Sequence, residues 1–312
     1  MRHTPNVVLV FVDGLGWGPP DPAANPCRTY GGRLFDLPAA EPGPSPLPHG
    51  GFAVPIDATL GVPGLPQSAT GQTTLLTGRR AQEALGMHLT GFPNAALRDL
   101  LLESSVLKRV AESGRSAAFL NAYRPLFFQL SAERRLRLSA TTVANLAAGL
   151  PFRTLEDLRA GRAVSQEFTN RELRERGYDV PERRPEEAGR ILAREARRLD
   201  FALYEYFQTD RAGHAQDRAR AEGELARLEL FVAGLLSELL PGEAGAAAVA
   251  DPALVILTSD HGNIEDLSTR GHTRNPVPLM VWGAGAEAVA RAVTRLDQVT
   301  PALLAALGAP RG

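Results

Sequence analysis

Short apolar runs rich in β-branched and aromatic residues recur along the chain. They occupy residues 6–12 (NVVLVFV), 116–121 (SAAFLN), 201–207 (FALYEYF), 254–258 (LVILT) and 279–282 (LMVW). Continuous apolar runs of this length are typical of strands buried on both faces, as in a parallel sheet. The pattern therefore predicts five strands of one buried sheet.

Helical patterns lie between these runs. Apolar residues recur at helical spacing in residues 101–112, 186–198 and 217–240, and Thr300-Pro301 has the cap and first-turn proline that open a helix. Alternating strands and helices predict an α/β fold, with a doubly wound, mostly parallel sheet flanked by helices.

Two regions interrupt the alternation. Residues 38–55 are rich in proline and glycine, which predicts a surface loop. Residues 124–185 carry short helical patterns, such as 139–150, and an Arg/Glu-rich stretch, but no strong strand. We therefore expect a core domain of residues 1–123 and 186–312, with residues 124–185 as a small inserted cap.

Composition narrows the functional classes. The net charge of the 312 residues is -1, so no basic surplus indicates nucleic acid or a membrane surface as a partner. Cys27 is the only cysteine, which excludes an intrachain disulfide and a Cys-rich zinc site. No apolar run approaches the ~18 residues of a membrane span, and the N-terminal run is too short for a signal peptide, so a cytoplasmic location is expected.

Acidic residues and histidines follow the predicted strands. Asp13 follows the first strand, Asp210 and His214 follow the third, Asp260 and His261 follow the fourth, and His272 precedes the fifth. Ligands of a parallel α/β sheet bind outside the carboxyl ends of its strands, so these side chains should meet at one edge.

Three aspartates and three histidines could hold two divalent cations. Carboxylate oxygen and imidazole nitrogen suit Zn²⁺ and Mn²⁺, and a pair of such ions is suited to phosphoryl transfer. Taken singly, Asp210 and His214 could be a surface pair, and Asp13 could cap a turn. Their common position at strand ends favours a metal site.

Ser68 is the candidate nucleophile. It lies in LPQSATGQTTLLTG, where it could be only a helix N-cap, but a helix N-terminus also favours an anionic phosphate. Thr70, two residues along, is the reserve nucleophile.

Several motifs, in order, resemble the alkaline phosphatase superfamily, and most closely its cofactor-independent phosphoglycerate mutase and phosphopentomutase branch. They are VDGLGWG at residues 12–18, QSATGQ at 67–72, DFALYEYFQTDRAGHAQD at 200–217, TSDHGNIED at 258–266, HTRNPVP at 272–278 and LDQVTPALLAALG at 296–308. The resemblance covers roughly residues 5–123 and 186–310.

The resemblance implies a ligand set. One metal would be held by Asp210, His214 and His272, and the other by Asp13, Asp260, His261 and the Ser68 oxygen. The chain departs from the mutase pattern in two respects: Gln72 stands where the mutase motif has a histidine, and the insertion is far smaller than the mutase's second domain.

These features predict a two-metal enzyme that hydrolyses or rearranges a small phosphate monoester through a phosphoserine. Candidate phosphate-binding residues are Gln72, Arg124, Arg211 and Arg274. Two alternatives stay open, namely a phosphodiesterase or nucleotide pyrophosphatase on the same core, and an inactive metal-binding relative that acts as a binding protein. A sulfatase would need a Cys/Ser-x-Pro-x-Arg setting, and a Rossmann protein a G-x-G-x-x-G after the first strand; neither is present.

Overall fold

A computed structural model describes residues 4–41, 43–240 and 252–309. Residues 42, 241–251 and 310–312, which belong to the predicted loop and core domain, lie outside the described residues, as do residues 1–3. The described strands are Asn6–Val12 (β1), Ser45–Leu47 (β2), Gly51–Ile56 (β3), Ala117–Phe119 (β4), Phe201–Tyr206 (β5), Ala253–Thr258 (β6) and Val277–Gly283 (β7).

Fourteen α-helices are described, together with 3₁₀ turns at Pro26–Arg28, Pro48–Gly50 and Leu296–Gln298. The α-helices are Ser68–Thr77 (α1), Ala81–Leu85 (α2), Ala95–Ser104 (α3), Val106–Glu112 (α4), Pro125–Phe128 (α5), Ala132–Leu136 (α6), Ala140–Ala147 (α7), Leu155–Arg159 (α8), Arg171–Glu175 (α9), Pro185–Ala196 (α10), Gln208–Ala215 (α11), Arg218–Leu239 (α12), Ala286–Ala292 (α13) and Val299–Ala306 (α14).

The seven strands form one sheet in the order β2-β3-β7-β6-β1-β5-β4. Strands β6, β1, β5 and β4 run parallel, whereas β7, β3 and β2 are joined to the sheet by antiparallel pairing. The predicted α/β fold is confirmed, with a parallel block at one side and an antiparallel extension at the other.

Strand β1 lies in the middle of the parallel block, and both of its faces are covered. Val8, Val10 and Val12 pack into the core beneath α10 and α12, while Leu9 and Phe11 pack into the core beneath α1, α4 and α14. Burial on both faces explains why the run contains no alternating polar residues.

The prediction of a surface loop over residues 38–55 is wrong for its second half. Strand β2 lies at the sheet edge, where Pro46 needs no ladder hydrogen bond from its nitrogen. Strand β3 pairs with β7, and Pro55 there lies opposite Pro278. Prolines that would interrupt a central parallel strand are accommodated at this antiparallel edge.

Two helix predictions also need correction. Residues 101–112 do not form one helix: α3 ends at Ser104 and α4 begins at Val106, with Ser105 in extended backbone between them. Thr300 does not cap the last helix but lies in its first turn, where its hydroxyl donates to the Leu75 carbonyl at 2.5 Å.

Residues 124–185 contain helices α5 to α9 and no strand, and every residue of this segment is described. Helix α7 packs on α3 and α1, and its Val143 is fully buried in the core beneath the sheet. The segment is thus anchored on the sheet, and its separation as a cap stays a prediction.

No described helix combines the length and the apolar character needed to cross a membrane, the 22-residue α12 included.

Candidate metal centre

The carboxyl ends of β1, β5 and β6 bring the predicted ligands to one edge of the sheet. Asp13 directly follows β1, Asp210 and His214 lie on α11 after β5, and Asp260 and His261 follow β6. Because β7 runs antiparallel to β6, the loop that precedes β7 starts at the same edge and carries His272 there.

Asp13, Asp260 and His261 form a buried cluster. One ligand atom from each lies within 4.8 Å of the other two. Asp13 Oδ1 is 3.2 Å and Asp260 Oδ2 is 3.5 Å from His261 Nε2. Asp260 and His261 have no solvent exposure.

A second, more open cluster consists of Asp210, His214 and His272. One ligand atom from each of these residues also lies within 4.8 Å of the other two. Asp210 Oδ2 is 3.4 Å from His214 Nε2, and its Oδ1 is 3.5 Å from His272 Nε2. The His214 side chain is 46% exposed, so solvent reaches this cluster. The rings of His261 and His272 stack with centroids 3.7 Å apart, which joins the two clusters into one centre.

The three histidines present the same nitrogen to the centre. Nδ1 of His214, His261 and His272 faces the backbone carbonyls of Arg270, Gly262 and Pro66 at 2.7, 3.4 and 3.1 Å respectively. A carbonyl only accepts hydrogen bonds, so each Nδ1 carries the proton. Each Nε2 is left to face the clusters, as in histidines that bind metal.

Two carboxylate oxygens in the buried cluster lack hydrogen-bond partners. They are Asp13 Oδ1 and Asp260 Oδ2, the two atoms that face His261 Nε2. Burial raises the pKa of Asp13 to about 7, to which the charge of Asp260 adds, and burial raises the pKa of Asp260 to about 6. Buried carboxylates are costly without a counter-charge. A protonated His261 would supply one positive charge between them, and a divalent cation would supply two.

Ser68 completes the buried cluster. Its Oγ lies 2.9 Å from His261 Nε2, the nitrogen that the two carboxylates also approach. A Ser-His-Asp triad would instead place the carboxylate on Nδ1, opposite the serine. Three oxygens around one imidazole nitrogen form a donor set that suits a metal ion, and they lack the serine–histidine–carboxylate order of a proton relay.

Comparisons with known proteins agree with this fold. Residues 178–311 match the model of the Metalloenzyme superfamily. The PH0037 protein of Pyrococcus horikoshii aligns at TM-score 0.56 and 15% identity, covering 100% of this chain and 98% of its own. The Thermus thermophilus alkaline phosphatase aligns at TM-score 0.54 and 12% identity, covering 98% and 92%.

The alkaline phosphatase of the Antarctic bacterium TAB5 aligns at TM-score 0.52 and 13% identity, over 99% of this chain and 100% of its own. The chain has the alkaline phosphatase fold. No curated protein sequence matches it. These similarities confirm the fold that the resemblance of the motifs implied.

Within this alkaline phosphatase fold, Ser68 is not the N-cap that the sequence suggested. Gln67 is the cap residue, and Ser68 is the first residue of α1, with its hydroxyl turned to the centre. Thr70 points elsewhere: its buried hydroxyl donates to the Gln67 carbonyl and accepts from the Leu89 amide, both at 3.2 Å. Of the two hydroxyls, only that of Ser68 reaches the ligands.

Two glycines allow the backbone near Asp13 and Ser68 to lie close to Asp210 and Asp260. Gly14 has φ +70°, and a Cβ there would lie 2.8 Å from Asp210 Cα and Cβ. A Cβ at Gly71 in α1 would lie 2.7 Å from the Asp260 carbonyl oxygen. Both positions explain why the motifs that carry Asp13 and Ser68 contain glycine.

Several supporting residues were not singled out from the sequence. Glu265 is fully buried and accepts from the amides of Gly16 and Asn263 at 2.8 and 2.7 Å, and Asn263 donates to Asp210 Oδ1 at 2.6 Å. A buried Glu and Asn directly after Asp-His-Gly could have indicated this role. Gln72, predicted as a phosphate ligand, is placed with its amide donating to Asp13 Oδ2 at 3.1 Å.

The predicted arginines are divided between two places. Arg124 and Arg211 line a cavity at the ends of β4 and β5, where Arg211 also lies 3.4 Å from Glu172. Arg274 does not line this cavity and donates to the Gly64 carbonyl at 2.9 Å.

Proposed function

We propose that the protein is a metal-dependent phosphoryl-transfer enzyme in which Ser68 is the nucleophile and a small phosphate monoester is the substrate. The observation that carries this proposal is the convergence of Ser68 Oγ and the unpartnered oxygens of Asp13 and Asp260 on His261 Nε2. The fold shared with solved alkaline phosphatases, one of which is a TAB5 variant with Mg bound, supports it.

The residues fit two divalent cations, Mn²⁺ or Zn²⁺ by their oxygen and nitrogen donors. Asp13, Asp260, His261 and Ser68 Oγ would hold one ion, and Asp210, His214 and His272 the other. When bound, such ions would favour the Ser68 alkoxide and neutralise charge on the phosphoryl oxygens.

Ser68 Oγ attacks the phosphorus in line, so a serine–phosphorus bond forms as the bond from phosphorus to the alcohol oxygen breaks. The proton lost from the Ser68 hydroxyl is taken up by the departing alcohol oxygen, so that an alcohol leaves and a phosphoserine remains. Ser68 stands at the first position of the ten-residue α1, where backbone N–H groups and the helix dipole stabilise the phosphoryl charge.

Water then hydrolyses the phosphoserine in a phosphatase, whereas a mutase returns the phosphoryl group to a substrate hydroxyl. A mutase must exclude water during this exchange. The exposed His214 leaves the more open cluster accessible to solvent, which favours hydrolysis.

Phosphodiester cleavage is the second candidate, because the cavity lined by Arg211 has aromatic walls that could hold a second alcohol group. An aryl phosphate monoester and the corresponding diaryl diester, compared at equal concentration, would separate the two activities. The higher kcat/KM identifies the reaction.

The test of the proposal is hydrolysis of an aryl phosphate monoester with added Mn²⁺ or Zn²⁺. The wild-type protein should require the metal, Ser68→Ala should abolish turnover, and Thr70→Ala should retain it. Wild-type rates in Ser68→Ala would refute the nucleophile assignment. Bound metal in the wild type without turnover on any ester would support the inactive relative instead.

A further inference from the structure

A cavity of about 380 Å³ adjoins the centre at the carboxyl ends of β4 and β5. Arg211 in its wall directly follows the ligand Asp210, so the cavity and the metal centre share one turn of α11. Residues from the segment 124–185 form its far side. Its walls include the aromatic side chains of Phe119, Tyr123 and Phe207.

Glu205 lies in the wall of this cavity and is 8% exposed. Its Oε2 accepts from the Thr141 hydroxyl at 2.7 Å, and its backbone N–H and carbonyl are both bonded to the Asn121 side chain. Its Oε1 has no hydrogen-bond partner among the described residues, and no described arginine or lysine forms an ion pair with Glu205. The carboxyl is therefore held rigidly with one oxygen available to the cavity.

Glu205 is the only charged residue of β5. The other five positions of β5 are Phe201, Ala202, Leu203, Tyr204 and Tyr206, all buried. A carboxyl in such a strand loses hydration when it is buried, and burial raises the pKa of Glu205 to about 7. Because the Glu205 Oε1 opens to the cavity, a ligand bound there can donate a hydrogen bond to it.

We propose that this cavity binds the alcohol part of the phosphate ester, and that Glu205 accepts a hydrogen bond from a hydroxyl or amino group on that part. The substrate class is an ester of a ring-bearing alcohol with a second hydrogen-bond donor. The volume falls within the range of small-molecule sites, and aromatic walls suit the face of a ring. This inference rests on the proposed function for the ester, but the binding of the alcohol can be measured without catalysis.

Glu205→Gln is the decisive substitution, because the amide has the shape of the carboxyl and can still accept from Thr141. With its oxygen on Thr141, the new amide would turn an NH₂ donor toward the cavity. Glu195→Gln is the matched control, since Glu195 is a similarly buried carboxyl on α10 and does not line the cavity.

The experiment is ligand-observed NMR titration of the full chain with two fragments, 4-methylbenzylamine, whose ammonium group can only donate hydrogen bonds, and 4-methylanisole, which lacks a donor. We expect Glu205→Gln to weaken binding of the first fragment about tenfold and of the second less than twofold. Glu195→Gln should change neither. Equal loss of both fragments, unchanged binding in Glu205→Gln, or no binding of either fragment to the wild type would overturn the proposal.

The two proposals can fail separately. Selective fragment binding in a protein that hydrolyses no phosphate ester would refute the proposed function and leave the cavity assignment standing. Hydrolysis that depends on Ser68, together with fragment binding that is unchanged in Glu205→Gln, would refute the cavity assignment alone.

Discussion

Cation binding at the buried cluster should release protons, in a number that depends on pH. The pKa of Asp13 is raised to about 7 and that of Asp260 to about 6 because burial and neighbouring carboxylates disfavour their charged forms. Burial alone would lower the pKa of His261, but the charges of Asp260 and Asp13 outweigh it and raise the value to about 10. A cation requires all three groups deprotonated.

These values set the size of the effect. Between pH 6 and pH 8 the two carboxyls lose their protons, while His261 keeps one, so binding should displace more protons at pH 6 than at pH 8. Displacement of the His261 proton alone makes the apparent affinity rise about tenfold per pH unit. Near pH 6, where the carboxyls also release protons, the rise should be steeper.

The same groups predict the stability of the metal-free protein. The pKa of Asp13 and that of Asp260 are higher in the folded protein than the ordinary value of 3.8. Both residues therefore destabilise the fold as pH rises from 3.8 toward their raised pKa values. A histidine with a raised pKa stabilises the fold below 6.5, and this contribution is lost as pH rises toward 10. The carboxyls therefore lower the free energy of unfolding between pH 3.8 and about 7, and His261 lowers it further between pH 6.5 and about 10. Bound cation should reverse both trends.

Isothermal titration calorimetry with Mn²⁺, in buffers of different ionisation enthalpy, counts the released protons. The variant His214→Ala, which disables the more open cluster, should retain the release, and Asp13→Asn should reduce it. Burial and the charge of His261 lower the pKa of His272 to about 4, so His272 contributes no proton above pH 6. Binding that releases no proton at pH 6 would refute the assignment of the buried ligands.

Three further predictions concern the support of the centre. Gly14→Ala should lower turnover and cost about 1–3 kcal/mol of stability by thermal denaturation, because the new Cβ meets Asp210 at positive φ; a fully active, equally stable variant would contradict this. Thr70→Val should keep wild-type kcat and lose about 1–3 kcal/mol by urea unfolding, as the Leu89 amide loses its acceptor; loss of kcat alone would revive Thr70 as the nucleophile. Leu228→Ala, at a fully buried position of α12, should lose about 2–5 kcal/mol and remain active well below its melting temperature; an unchanged midpoint of unfolding would contradict the packing described.

The central strands could be predicted because burial on both faces determines their residue types. Strand β1 is buried on both faces, so its run of Val, Leu and Phe has no competing interpretation, and Asp13 marks its end. Strand β3 was missed because its pairing with β7 lies far away in sequence, while its prolines are local and suggest a loop.

The ligands were predictable by position, but the contacts between them were not. A strand end determines that Asp13 and Asp260 reach the same edge, whereas the orientation of Gln72 toward Asp13 depends on the packing of α1. Glu205 was read as part of an apolar strand. A single carboxyl within that run is the signal that could have identified it.

The most direct test of the account is the search for a phosphoserine. The metal-loaded protein would be mixed with an aryl phosphate, quenched in acid during turnover, digested and analysed by tandem mass spectrometry. We predict a phosphoryl group on Ser68 in the wild type, and none in that peptide of Ser68→Ala. Rapid turnover with no phosphoryl group on Ser68, or with one on Thr70, would contradict the account.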